Sequence, residues 1–219
     1  MKLQIVALDW HSLRYAADVA SHAGFELVAV VTSGWVPDQE KFPAPLLTEL
    51  AALGDRRQCE VFIAGDATLL NQKRLACLLS YKAAGVRLAA LVGMDADVHA
   101  GVRLRENTLL GCRARVCEGA DIGANAVIGA SAEIGYSTVI GHSAWIGRDC
   151  VIGDDCHIGR NCVLGDGVRI APGCTLEPWS CLAPGNRITE SSGRTLFVDP
   201  LFRAPVEIRG VKSRGGAKP

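Results

Sequence analysis

An aliphatic residue returns at every sixth position without interruption: Val98, Leu104, Leu110, Val116, Ile122, Ile128, Ile134, Ile140, Ile146, Ile152, Ile158, Leu164, Ile170, Leu176, Leu182 and Ile188. Two places before most of them stands a small residue, such as Ala114, Ala120, Ala126, Ala132, Ala144, Cys150, Cys156 or Cys162. Glycine follows the central members, as at Gly123, Gly129, Gly141, Gly147 and Gly159. A period of six fits neither a helix nor a plain alternating strand, and it is the signature of a parallel β-helix. Each hexad predicts one short strand and one corner. The aliphatic residue points inward, the small residue packs beneath the corner, and glycine relieves the backbone where the chain turns. Three hexads close a triangular coil of eighteen residues, so residues eighteen apart stack at about 4.8 Å, and the stretch 98–188 makes five coils.

Upstream the pattern changes. Strand-like and helix-like segments alternate over 3–8, a helix around 12–23, 25–32, 43–53, 60–64, a long helix around 67–84, and 86–92, which runs directly into the first hexad. Apolar strands in a β-α-β order predict a small α/β unit with a parallel sheet covered by helices. The polar stretch 34–42, with Pro37 inside it, predicts an exposed loop. The expected organisation is an α/β domain over 1–93, a β-helix over 94–188, and a C-terminal cap and tail over 189–219. The apolar Leu196, Phe197 and Val198 would cover the open end of the prism.

Composition adds little to this and removes several functions. With 49% hydrophobic and only 5% aromatic residues among 219, the chain suits a prism filled by Ile, Val and Leu. Its net charge of zero lacks the electrostatic footprint of a nucleic-acid binder, and no run of eighteen apolar residues predicts a membrane span. The start, Lys2-Leu3-Gln4-Ile5-Val6-Ala7-Leu8, reads as a strand rather than a signal peptide, so a cytoplasmic location is expected. Of the nine cysteines, Cys150, Cys156, Cys162 and Cys174 occupy the small-residue slot, which predicts core fillers rather than bridges or metal ligands.

The α/β unit joined to this repeat resembles a Rossmann-like domain on the left-handed β-helix of the hexapeptide-repeat sugar O- and N-acetyltransferases, of the sialic acid O-acetyltransferase and bacillosamine-pathway N-acetyltransferase type. The resemblance spans about residues 1–188. It is carried by Phe62-Ile63-Ala64-Gly65-Asp66-Ala67 followed by Arg74, by Gly85-Val86-Arg87-Leu88-Ala89-Ala90-Leu91-Val92, and by Val139-Ile140-Gly141-His142. It implies a homotrimer in which the small domain holds a nucleotide-linked sugar and acetyl-CoA lies along the prism between subunits. His142 is then the general base, His157, Arg148, Gly165, Ala171 and Arg187 hold the donor, and His11, Arg14 and Asp66 hold the acceptor, with no metal. A neutral imidazole suits proton removal from an attacking amine or hydroxyl, and corner amides would face the oxyanion. The expected function is a CoA-dependent acyltransferase, transferring acetyl to a sugar or sugar nucleotide. Trp145 and Val151, one place before inward Ile146 and Ile152, are expected to be partly buried by a neighbouring subunit.

Two registers remain open. The family places an acidic residue after the base and a second histidine nine places on, whereas here Ser143 follows His142 and Val151 stands nine beyond. Taking His157 as the second histidine moves the base position to Arg148, one hexad away. The neighbours stacked on His142 are Ala124 and Arg160, flanked by Asn125 and Asn161. The group that orients its ring is therefore backbone, Asn or another chain, with no carboxylate in the same subunit and His157 beyond hydrogen-bond reach. After the first strand, Leu8-Asp9-Trp10-His11-Ser12-Leu13-Arg14 replaces the family's glycine-rich turn, and Asp9 or Ser12 reads as a helix cap. Two further readings stand beside the transferase. One is a non-catalytic trimeric scaffold or ligand-binding member, suggested by the broken register. The other is a metalloenzyme like the γ-class carbonic anhydrases, which needs clustered histidines that the spacing of His99, His142 and His157 does not offer.

Overall fold

The computed structural model describes residues 1–32, 46–47, 59–67, 70–191, 193–199 and 206–208. The expected loop over 34–42 lies outside them, as does all of 43–53 except a two-residue strand. The α/β unit is built from β1 (Lys2–Ala7), α1 (Trp10–His22), β2 (Glu26–Thr32), β3 (Leu46–Leu47), β4 (Glu60–Ala64) and α2 (Gln72–Ala83). Its strands are parallel in the order β3-β2-β1-β4. β1 is covered on both faces, which accounts for its nearly continuous apolar run. On one face Leu13, Ala16, Val19 and Ala20 of α1 pack on Leu3, Ile5 and Phe62, and on the other Leu78 and Tyr81 of α2 pack near Val6, Val61 and Ile63. Asp9 caps α1, its Oδ1 accepting the Ser12 N–H at 2.8 Å.

The stretch 86–92, expected as one strand, divides between two structures. Val61 N–H donates to Arg87 O at 3.0 Å and Ala89 N–H to Val61 O at 2.8 Å, which bridges Leu88 to the edge of the α/β sheet. Two residues later Leu91 N–H donates to Thr108 O at 2.8 Å, and β5 (Leu91–Val92) is already the first rung of the solenoid. The six-residue period thus starts one hexad before Val98, with Val92.

From β5 to β21 (Arg187–Ile188) two-residue strands follow one another every six residues and stack into three parallel sheets. Partners are eighteen apart: Val127, Trp145 and Val163 on the first sheet, Glu133, Val151 and Arg169 on the second, and Asp121, Val139 and His157 on the third. The inward aliphatics form one continuous buried core with the small residues two places before them. The cysteines in that slot also hydrogen-bond. Cys150, Cys156 and Cys162 donate from Sγ to the carbonyls of Gly165, Ala171 and Glu177 at 3.1, 3.1 and 3.2 Å, as Thr138 Oγ1 does to Gly153 O at 2.8 Å. Burial pushes the Cys150 thiol up to about 11 and that of Cys162 to about 12, so both remain thiols.

Glycine serves a purpose other than the one expected. Gly123, Gly141 and Gly159 lie where successive coils touch: a Cβ on Gly123 would sit 2.6 Å from His142 N, and one on Gly141 2.5 Å from Arg160 N. The left-handed backbone falls two residues later, on Asn125 (φ 62), Ser143 (φ 57) and Asn161 (φ 56), residue types that tolerate it through local hydrogen bonds.

At the far end β22 (Thr195–Val198) lies parallel to the rung Cys181–Leu182, and β23 (Val206–Ile208) lies antiparallel to it. Leu196 joins the prism core. The α/β unit sits against the first sheet, where Leu109 and Val127 are buried and Trp145 packs beside them. Trp145 is therefore packed against its own chain's α/β unit. Val151 is half-buried on the second sheet, whose other outward positions are charged and exposed: Asp97, Arg115, Glu133, Arg169 and Arg187.

Candidate functional site

The α/β unit is fastened to one corner of the solenoid by a buried cation. Arg74 of α2 is 1% exposed and donates from Nε to Ile63 O at 2.8 Å and from its two Nη atoms to Asn125 O and Asn107 O at 2.8 and 2.9 Å. Burial lowers its pKa to about 9, which leaves it charged at neutral pH. Two of its three partners, Asn107 and Asn125, belong to a polar column of residues eighteen apart. Asn107 Nδ2 donates to Asn125 Oδ1, and Asn125 Nδ2 to Ser143 Oγ, both at 2.9 Å. Asn71 Nδ2 donates to Ser143 O at 3.1 Å, and Asn161 Nδ2 to Leu70 O at 3.1 Å. A buried guanidinium is tolerated only when its N–H groups are satisfied, and this column and Ile63 O supply the acceptors.

His142 stands just outside that column, and its ring accepts the Ala124 N–H at Nδ1, 3.0 Å away. The bond puts the ring proton on Nε2, so Nε2 is a donor. Backbone is thus the orienting group, and the same device recurs at the other two corners. Tyr136 N–H donates to Asp154 Oδ1 at 2.8 Å, and Arg148 N–H to Asp166 Oδ1 at 2.9 Å. In each case a side chain one coil on satisfies a corner amide.

His142 and His157 line one open depression of about 350 Å³, together with Arg105, Asp121, Val139, Arg160 and Pro178 and the bare backbone of Gly123, Gly141 and Gly159. Asp121 corrects the expectation that no carboxylate of the same chain stands near His142. It does not hold the ring, however, because Arg105 takes both its oxygens, at 3.1 and 2.9 Å, and Arg103 lies at 3.1 Å. The hydrogen bonds from Arg105 hold the Asp121 carboxyl below its usual range. Every residue lining the depression belongs to the solenoid.

Arg148 occupies a different place. It lines a groove of about 250 Å³ with Asp166, Trp145, Val127, Gly129, Ala130, Gly147 and Tyr15 of α1. A smaller pocket that shares Tyr15, Val127 and Trp145 with it is lined also by Ser12, Ala64 and Gly65 at the end of the parallel sheet. Tyr15 Oη accepts the Cys112 N–H, and burial raises its pKa. The Arg148 guanidinium holds Asp166 Oδ2 from Nε at 3.1 Å and from Nη2 at 2.7 Å. Burial alone would raise the Asp166 carboxyl, but the bonds from Arg148 bring it below its usual range.

The structure therefore brings His142 and His157 together and separates them from Arg148. Gly165 lies one coil above Gly147 at the Arg148 corner, Ala171 lies at another corner, and Arg187 projects from the second sheet. His11 and Arg14 are exposed on α1 and line neither the groove, which Tyr15 reaches, nor the small pocket that Ser12, Tyr15 and Ala16 line. Asp66 is exposed beyond β4. Sequence reasoning missed Arg105, Asp121, Tyr15 and Asn71, and named Arg160 only as a residue stacked on His142. The column Asn107, Asn125, Ser143 and Asn161 was visible as polar residues eighteen apart. Among the described residues no three His, Cys, Asp or Glu side chains converge to hold a metal ion, and no helix is long and apolar enough to cross a membrane.

The sequence matches the GMPPB C-terminal domain over residues 89–192, the solenoid. No curated relative matches it. Among solved structures, PerB from Caulobacter crescentus, in complex with CoA and GDP-perosamine, is 19% identical with a TM-score of 0.76, over 86% of this chain and 89% of that one. A histidine-to-asparagine mutant of perosamine N-acetyltransferase from the same organism, with the same two ligands, is 18% identical with a TM-score of 0.57, over 86% and 89%. The acetyltransferase domain of PglB from Neisseria gonorrhoeae is 18% identical with a TM-score of 0.54, over 94% and 99%. At these identities the likeness is one of fold.

Proposed function

We propose that this chain is a CoA-dependent acyltransferase, moving an acetyl group from acetyl-CoA to an amine or hydroxyl of a sugar or sugar nucleotide. In this reading it is a homotrimer, residues 1–90 are a Rossmann-like domain, 91–188 a left-handed β-helix that takes in the rung at Leu91–Val92, and 189–219 its cap and tail. The observation that carries the reading is the depression holding His142 and His157, on a solenoid whose structural counterpart PerB binds CoA and GDP-perosamine. The acceptor lone pair attacks the thioester carbonyl, the carbonyl oxygen becomes an oxyanion facing a corner amide, and the acceptor proton passes to His142. Collapse expels the CoA thiolate, which takes the proton back. For His142 to accept, the ring turns over and releases the Ala124 N–H, at a cost of about 1 kcal/mol. His157, Arg148, Gly165, Ala171 and Arg187 are assigned to the donor, and His11, Arg14 and Asp66 to the acceptor end. Because no described residue of the α/β unit lines the depression, the acceptor domain would come from a neighbouring subunit.

Calorimetry with acetyl-CoA and transfer of labelled acetyl to amino sugars and sugar nucleotides test the reading. Neither binding nor transfer would end it, and a stable monomer at micromolar concentration by light scattering would remove the subunit interface. A second reading, a ligand-binding member without catalysis, is favoured by one observation: His142 fills the same seat as the capping carboxylates Asp154 and Asp166. It predicts CoA binding without transfer.

A further inference from the structure

The solenoid contains an internal example of how one of its corners binds a carboxylate. At Arg148 the backbone N–H takes one oxygen of Asp166 at 2.9 Å and the guanidinium takes the other at 2.7 and 3.1 Å. Asp166 stands eighteen residues on, in the coil above. Twelve residues further along the chain the same residue type recurs at the equivalent corner position as Arg160, again preceded by glycine. The coils approach in the same way at both places: a Cβ on Gly147 would lie 2.7 Å from Asp166 N, and one on Gly159 2.4 Å from Pro178 N. The residue above Arg160 is Pro178, which has no oxygen to offer from its side chain. Among the described residues neither the Arg160 N–H nor its guanidinium has a partner.

The surroundings favour an anion as well. Arg160 lines the depression with His142, whose Nε2 is a donor because Nδ1 accepts the Ala124 N–H, and with His157. The one carboxylate there, Asp121, is held by Arg105 and Arg103 and does not compete for Arg160. The His142 N–H has no acceptor above it either, since Arg160 occupies that position. The pocket thus offers several donors, while its built-in acceptor is saturated. Charge-assisted bonds from a guanidinium and an amide are the strong kind that orient an oxyanion.

We propose that the corner at Arg160 is a seat for an external oxyanion, a carboxylate or phosphoryl group of a ligand, which takes the place that Asp166 fills at Arg148. The inference goes beyond acyl transfer and does not depend on it. Joined to that reading, and resting on it in this clause alone, it gives the substrate an acidic group beside His142.

The test is titration of the full-length chain with malonate and with inorganic phosphate at fixed ionic strength, without CoA, by calorimetry and by the amide resonance of Arg160. Saturable binding that moves this resonance is expected. Arg160→Gln should weaken it about tenfold or more, the scale for losing a hydrogen-bonded charge. Pro178→Asp should fill the seat from within and abolish it. Arg148→Gln should leave it unchanged. The anion bound more tightly identifies a carboxylate or a phosphoryl source. Absence of saturable binding by either anion, undiminished affinity in Arg160→Gln or Pro178→Asp, or loss in Arg148→Gln would overturn the proposal. Failure of acyl transfer alone would leave it standing.

Discussion

On the first sheet the outward positions of three successive coils are Leu109, Val127 and Trp145, while the same coils on the third sheet carry Arg103, Asp121 and Val139, with His157 next. The inward residues of both sheets are interchangeable aliphatics. What differs is the partner each wall faces. The first wall is covered by α1 and the parallel sheet, with a groove beside Tyr15 and Arg148. The third wall is open, held by the ion pairs of Asp121, and forms the depression with His142 and His157. A hexapeptide repeat thus separates two tasks: its inward period builds the prism, and its outward residues decide independently which wall becomes an interface and which a site.

The largest expected effect asks which wall carries chemistry. If the third does, His142→Ala lowers acyl-transfer turnover by about two to four orders of magnitude with little change in folding, the scale of a general base. Arg148→Ala then changes it far less. Full activity in His142→Ala with loss in Arg148→Ala, measured by steady-state kinetics, would move the site to the groove on the first wall.

The next effect concerns what holds the walls together. Arg74→Met leaves the buried Asn107 O without a donor, and Ile63 O and Asn125 O with only the long bonds from Asn107 Nδ2 at 3.3 Å and Asn71 Nδ2 at 3.4 Å. It should cost about 2 kcal/mol in urea unfolding, since an orphaned buried acceptor costs about 1–3 kcal/mol and removal of the buried charge offsets part of this. Wild-type stability in that variant would mean that the apolar contacts of Leu109 and Val127 fasten the unit alone. His157→Ala should act more gently, raising the Michaelis constant for the donor about tenfold with turnover nearly unchanged, because a positioning group acts in both ground and transition states. An equal fall in turnover would make it a partner of the base instead.

The prism was legible because its signal is local and repeats: Ile140 predicts its neighbour Ile146 and its stacked partner Ile158 by counting. The cap at Asp9 was legible for the same reason. The clamp at Arg74 was not, since two of its three acceptors are backbone carbonyls of Asn107 and Asn125, 33 and 51 residues away, and a carbonyl leaves no mark in the sequence. Leu91 and Val92 read as part of the α/β unit because an apolar pair satisfies a parallel strand and a solenoid rung equally. Asp121 does not stand out by counting because it is not stacked on the corner of His142: the carboxylate enters from the strand beneath. Nor does the side-chain pattern tell that the His142 ring lends its Nδ1 to a backbone amide, which is the fact that bears most on its chemistry.

The smallest effect tests whether the third wall depends on its ion pairs. Arg105 donates both bonds to Asp121, and the Asp121 side chain is 14% exposed, so the carboxylate is favoured in the folded chain and its pKa is lowered there. A lowered carboxyl pKa contributes stability that is present above the unfolded value of about 4 and is lost as pH falls through the lower folded value. Arg105 is half exposed, so solvent screening keeps the contribution to about 1 kcal/mol or less. Asp121→Asn should therefore be less stable than the parent by that amount at pH 6, with the difference closing as pH falls from about 4 toward 2. Added salt should shrink the gap at pH 6, because the arginines that make it are solvent-exposed. Parallel stability curves for the two proteins across that range, by urea unfolding, would mean that the stacked backbone alone sets the third wall, leaving Asp121 to act only on what enters the depression.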